Sequence, residues 1–121
     1  MTKFLRHGRV YYSSVEFAME KIGGTWKIPI LVALKSKVMR YTELKIRIRH
    51  ISDKMLSAEL KSLEASGFLC RKAYPTVPPK VEYSLSALGK SALPVIEVLS
   101  EYGLYLMSQE DQVIKYCDPP S

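Results

Sequence analysis

Residues 72–85 read KAYPTVPPKVEYSL. Three prolines, Pro75, Pro78 and Pro79, interrupt two runs that otherwise look like β-strands. Proline has no N–H to give to a ladder, so the three cannot lie inside a sheet. The stretch therefore predicts a hairpin with arms over Phe68–Tyr74 and Val81–Leu85 and the prolines at its tip. Lysines flank the tip on both sides, at Lys72 and Lys80.

Working outward, Gly67 reads as the left-handed stop of a preceding helix. That helix is expected over Asp53–Ser66, capped by Ser52, with Met55, Leu56, Leu60 and Leu63 on its inner side. Before it, Arg47-Ile48-Arg49-His50-Ile51 reads as a turn, preceded by a short helix capped by Thr42 and running to Ile48. Leu44 and Ile48, four apart, share a face of that helix. Val38–Arg40 reads as a brief extended piece. A helix over Trp26–Leu34 would be capped by Thr25, with Pro29 at the edge of the first turn, where proline is tolerated. Ser13-Ser14-Val15-Glu16 matches a capping box opening a helix over Ser14–Ile22, closed by Gly23-Gly24. Downstream of the hairpin, Ser86 is expected to cap a long helix over Ala87–Met107. The order is helix, helix, short strand, helix, helix, hairpin, long helix. The fold class is thus mainly α with a small β-hairpin, a winged helix-turn-helix over residues 1–121 as a single domain, with the hairpin as the wing.

The 121-residue chain carries a net charge of +6, and its placement is uneven. Residues 35–80 hold eleven Lys/Arg against four Asp/Glu, a surplus of +7; the remainder holds seven against eight. A localised basic field favours a polyanion such as double-stranded DNA. On the helix after Ser52, the outward residues are Asp53, Lys54, Ser57, Ala58 and Lys61, the kind of short or donor-bearing side chains that reach base edges. In the turn, Arg49 with Arg47 and His50 suits backbone phosphate; in the wing, Lys72, Lys80 and Arg71 suit phosphate beside the minor groove. The caps Thr42 and Ser52 and the wing's Pro78 complete the candidate DNA-contacting set. Prolines lower the wing's conformational entropy before binding, so less order is lost on contact.

The last helix has apolar residues around much of its circumference. Leu88, Ala92, Val95, Leu99 and Leu106 form one stripe, with Leu93, Val98, Tyr102 and Tyr105 beside it. A helix this broadly apolar needs cover on more than one side. A second copy is the expected cover, through Val95, Val98, Leu99, Tyr102 and Leu106, since two-fold homodimers are the commonest assembly.

Little supports catalysis. His7 and His50 are the only histidines, the three aspartates are at 53, 111 and 118, and no phosphate loop, metal-ligand spacing or nucleophile motif occurs. No cofactor or metal is implied. The longest uncharged apolar stretch, Ile28–Leu34, is too short to span a membrane, and the N-terminus MTKFLRHGR lacks a signal's apolar region. Cys70 and Cys117 make no disulfide framework, and a cytoplasmic protein is expected. A different class of function, a protein-interaction module whose basic face meets an acidic partner, shares the charge pattern; salt dependence and duplex specificity separate the two.

Four segments, VEFAMEKIGGTWKIPILVAL, YTEL, ISDKMLSAELKSLEASGFL and YPTVPPKVEYSLSALGKSALPVIEVL, cover most of Val15–Leu99. Together they resemble the HxlR-type winged helix-turn-helix transcriptional regulators. The resemblance implies a homodimer on a palindromic or near-palindromic operator, with the helix after Ser52 reading DNA and the segment around Pro78-Pro79 as wing. It also implies a dimer contact made by the first and last helices. Many members have a cysteine directly before the Pro-Val-Glu that opens the first helix, and several sense thiol stress through it. Here that place reads Ser13-Ser14-Val15-Glu16, and serine forms no thiolate. Cys70, in the first arm of the hairpin, is expected to be a small, partly buried thiol.

Overall fold

The computed structural model describes residues 3–116, with side chains described to residue 110. The chain divides into two compact units, residues 1–90 and 91–121. Within the first, a small antiparallel hairpin, β1 (Phe4–Arg6) and β2 (Arg9–Tyr11), precedes helix α1 (Ser14–Ile22). Then follow α2 (Lys27–Ala33), the two-residue β3 (Met39–Arg40), α3 (Tyr41–Arg47) and α4 (Asp53–Ala65). Strands β4 (Leu69–Tyr74) and β5 (Lys80–Leu85) form the hairpin, and α5 (Ala87–Ser91) follows it. The second unit contains α6 (Leu93–Tyr116). The winged helix-turn-helix predicted from the hairpin is the observed fold.

The core of the first unit is aliphatic. Ile30 and Leu31 of α2, Leu44 of α3, and Leu56 and Leu63 of α4 have no exposed surface. Each such side chain contributes roughly 1.5–3 kcal/mol relative to exposure. Helix α2 is tied to α4 by an ion pair between Lys27 and Glu59, 3.1 Å apart and largely shielded. The sheet order is β3-β5-β4, so the extended piece at Met39–Arg40 joins the hairpin as a third strand, opposite Tyr83 and Glu82.

Local chemistry sets the element ends. Ser13 Oγ accepts from the Glu16 N–H at 3.1 Å, as a capping serine should. The reciprocal bond differs from the expected box: Glu16 Oε2 accepts from Tyr12 N–H, one residue upstream of the cap. Helix α4 is capped by Ser52, whose Oγ accepts from Met55 N–H. It ends in a Schellman motif: Phe68 N–H donates to Leu63 O, Gly67 N–H donates to Glu64 O, and Gly67 has φ +85°.

Three further expectations are corrected. Neither Thr25 nor Thr42 caps a helix: Trp26 and Arg40 occupy the cap positions without side-chain cap bonds. Glu43 instead reaches back to accept from Arg40 N–H at 3.0 Å, which starts α3 before Thr42. The long helix predicted from Ala87 is two helices broken at Ala92. Pro94 explains the break, since it has no N–H for the carbonyl four residues back and its ring crowds that turn. Met55 is not on the inner side of α4 but 38% exposed. Leu56, Leu60 and Leu63 already fill the i, i+4, i+7 stripe, and Met55 falls on its shoulder.

The hairpin of β1 and β2 was not foreseen. His7 (φ 52°) and Gly8 (φ 77°) form its two-residue turn, both in the left-handed region that such tight hairpins require. Tyr11 fastens it to α1: its ring meets Phe17 edge-on, and its hydroxyl donates to Glu20 at 2.6 Å. Arg9 pairs with both Glu16 and Glu20.

Candidate nucleic-acid interface

Helix α4 lies with its leucine face buried, and this fixes what faces outward. Asp53, Lys54, Ser57, Ala58 and Lys61 are all exposed, as is the cap Ser52. Among the described residues, neither Lys54 nor Lys61 has an ion-pair or hydrogen-bond partner, so both cations are uncommitted. Asp53 is also tied within the chain. Its carboxylate accepts from the Tyr41 hydroxyl at 2.9 Å and lies 3.6 Å from Lys45 Nζ. It thus locks α3 to the start of α4.

Tyr41 and Lys45, outside the expected DNA-contacting set, hold this junction together. Lys45 Nζ also donates to Ile51 O at 2.8 Å and so clips the turn between the helices. Desolvation first, and then the bond to Asp53, holds the Tyr41 hydroxyl above its ordinary 10.0, so it stays a neutral donor at physiological pH. No local pattern announces these contacts, because partners twelve and six positions apart meet only once the turn has closed. His50 lies in that turn with φ +70°, and Arg47, Arg49 and His50 are all exposed.

The wing extends the same basic character. Lys72 and Pro78 are exposed, and Lys80 is half-buried at the start of β5. Both lysine Nζ atoms sit over the Tyr74 ring, at 5.0 and 4.9 Å from its centroid. The aromatic face steadies two cations at the root of the tip. At the tip, Thr76 Oγ1 donates to Pro78 O at 2.9 Å, the Val77–Pro78 bond is cis, and Val77 is fully exposed. Thr42, exposed within the first turn of α3, is no cap but remains available to solvent. Cys70 is exposed, not partly buried: it sits on the outer side of β4, opposite Ser84. Cys117 lies outside the described residues.

Separately, in α6, Val95, Val98, Leu99, Tyr102 and Leu106 are all exposed, between 44% and 64%. Ala92 and Ile96 are buried. Tyr102 and Tyr105 stack with centroids 6.2 Å apart.

A helix-turn-helix closed by a basic hairpin is a DNA-binding architecture, and the family model for HxlR-like helix-turn-helix matches residues 21–111. The chain belongs to the HxlR-like family. An HTH-type transcriptional regulator of Methanothermobacter thermautotrophicus is 44% identical over 102 residues, covering 84% of this chain and 78% of that one. The HTH-type transcriptional regulator YkvN of Bacillus subtilis is 46% identical over 95 residues, covering 78% and 80%. Among solved structures, the redox regulator HypR in its reduced form matches with a TM-score of 0.75 at 36% identity, over 86% of this chain and all of that one. As an HxlR-like protein, the chain is a DNA-binding regulator of transcription and not an enzyme. None of its described helices is long and apolar enough to cross a membrane.

Proposed function

We propose that this HxlR-like chain works in the cytoplasm as a homodimer that binds a palindromic operator sequence-specifically. Each protomer's α4 enters a major groove, where Lys54, Ser57, Ala58 and Lys61 meet base edges. Ser52, Thr42 and Arg49 hold the flanking backbone, and Lys72, Pro78 and Lys80 place the wing over the adjacent minor groove. The dimer closes through the first and last helices, with Val95, Val98, Leu99, Tyr102 and Leu106 of α6 at its centre. Residues 1–121 act as one functional module that needs no cofactor.

The observation that carries the reading is the outward face of α4, exposed along Lys54, Ser57, Ala58 and Lys61, with both lysines unpaired among the described residues, while the leucine face is fully buried. Two arms of one gel-shift experiment test it, on a selected operator and on scrambled DNA across a salt series. Arg49→Ala and Lys80→Ala are expected to weaken both DNAs alike and to reduce the salt slope by about one each. Ser57→Ala and Lys54→Ala are expected to change the preferred sequence, at roughly 1–3 kcal/mol per affected base pair. Helix and wing variants that behave identically on both DNAs would rule out this division of labour. Half-sites should lie about 10 bp apart, or a multiple of that, as two-fold docking requires.

A further inference from the structure

A groove of about 410 Å³ opens beside the helix-turn-helix, a size within the span of small-ligand sites, about 300–1,000 Å³. Helix α2 lines it with Trp26, Pro29, Val32 and Ala33; the end of α3 and the following turn add Ile48, Arg47 and Arg49. The floor is apolar: Ala33 and Ile48 are buried, and Val32, on the wall, is 41% exposed. The rim is cationic. Among the described residues Arg47 and Arg49 have no carboxylate or hydrogen-bond partner. The neighbouring lysines are engaged, Lys27 with Glu59 and Lys45 with Asp53.

An apolar floor beside two uncommitted guanidinium groups complements a ligand with an apolar body and a planar anion. Guanidinium binds carboxylate through two parallel hydrogen bonds, and the Trp26 ring offers an aromatic body a stacking surface. A bare inorganic anion would gain nothing from the apolar wall, and a neutral ring would gain nothing from the arginines.

We propose that this groove binds a small aromatic carboxylate, and that the bound acid competes with DNA for the arginines of the turn. The competition rests on the function proposed above, in which Arg49 holds phosphate; the binding itself does not. An acid drawing on Arg47 and Arg49 neutralises the charge beside the first turn of α4, so occupancy lowers DNA affinity.

Trp26 is the single tryptophan of the chain, so its emission reports on the groove directly. The full-length protein, without DNA, is titrated with benzoate and with benzamide, its uncharged counterpart. Benzoate is expected to change Trp26 emission saturably, and benzamide to need at least about tenfold higher concentration, because it lacks the charge the arginines select. Arg47→Gln with Arg49→Gln should raise the benzoate half-point about tenfold while circular dichroism stays unchanged. Val32→Phe fills the apolar wall without adding charge or touching the DNA-contacting set; it should keep DNA affinity and lose benzoate binding. On DNA, benzoate should release the wild type and spare Val32→Phe.

Equal responses to benzoate and benzamide, or no response to either, overturn the site. An emission that depends on protein concentration instead of benzoate also overturns it and assigns the groove to a second copy of the chain. Saturable benzoate binding that leaves DNA affinity unchanged overturns the competition. Since the fluorescence arm contains no DNA, its failure leaves the operator reading untouched, and failure of operator binding leaves the fluorescence result standing.

Discussion

In α4 the leucines at 56, 60 and 63 are at most 2% exposed, whereas in α6 Val95, Val98, Leu99, Tyr102 and Leu106 are 44–64% exposed. Both helices carry apolar residues at helical spacing. The difference teaches that periodicity names which residues are to be covered, not what covers them. In α4 the cover is the chain's own α2, α3 and sheet, so the stripe is narrow and the opposite face is polar. In α6 the apolar residues spread around the helix, and the chain leaves several of them to solvent. An exposed apolar surface of this kind is what the proposed homodimer would cover.

Breaking the buried side of this comparison should have the largest effect. Leu60→Ala deletes a fully packed side chain in α4 and should cost about 2–5 kcal/mol of stability, read by urea unfolding followed through Trp26. A loss below about 1 kcal/mol would mean that the site collapses around the deletion.

The exposed side is broken by Leu99→Asp. The wild type is expected to sediment as a dimer at micromolar concentration and the variant as a monomer, since an unpaired carboxylate in an apolar interface is severely penalised. Its Trp26 emission should stay native, because Leu99 lies outside the 1–90 unit that holds Trp26. A variant that still sediments as a dimer would move the interface elsewhere.

Tyr41→Phe sharpens the comparison at smaller scale, by removing one tie that aims the outward face of α4. A net hydrogen bond contributes about 0.5–1.5 kcal/mol, and the exposure of this one places the expected loss at the low end. The informative readout is operator preference: a loosened start of α4 should blunt discrimination between matched and scrambled sites more than it lowers the melting temperature.

The β1–β2 hairpin should respond to acid. The Tyr11 hydroxyl, foremost, and the Arg9 charge hold the Glu20 carboxyl below its ordinary 4.5, against the opposing effect of burial. A depressed carboxylate contributes stability that is full above its unfolded value and is lost as pH falls through the folded one. The protection factors of the β2 amides, taken against the intrinsic exchange rate at each pH, are therefore expected to fall below about pH 4.5, and Glu20→Gln to flatten that dependence.

The smallest expected effect is that of oxidants. Ser13 Oγ accepts from Glu16 N–H and keeps its proton at neutral pH, so no thiolate exists at the head of α1. Operator affinity should stay within about twofold after mild peroxide or diamide. A large loss that vanishes in Cys70→Ser would show that exposed Cys70, beside Arg71 and Lys72, has taken over the sensing position.

The parts of the fold that were legible are those built from near neighbours in sequence. Ser13, Ser52 and Ser86 all cap where expected, Gly67 stops α4, and the prolines mark the wing tip. Readings failed where two local signals competed. Thr42 looks like a cap, but Glu43 accepts from Arg40 N–H and starts the helix two residues earlier, and Pro94 outweighs the apolar continuity of Ala87–Met107. The strands of the β1–β2 hairpin are three residues each and mostly exposed, too short to show alternation; the His7-Gly8 pair was the one available signal. At the interface, the basic residues were legible by charge, whereas the Tyr41–Asp53–Lys45 lock depends on tertiary closure.

Ser86 has a consequence for how such proteins can be remodelled. Its hydroxyl donates to Gly67 O at 2.6 Å and accepts from Gly89 N–H, while its own N–H donates to Phe68 O at 3.1 Å. Gly89 lies so close to the Phe68 carbonyl that a Cβ there would sit 2.2 Å from the oxygen, which seals the junction further. The hairpin's two ends are therefore stapled nineteen positions apart at a point that does not involve its tip. Leu69 and Leu85, just inside the staples, belong to the core, so the part free to vary is the tip beyond them. A tip of other length, charge or proline content is expected to graft onto this base without retuning the helices on either side.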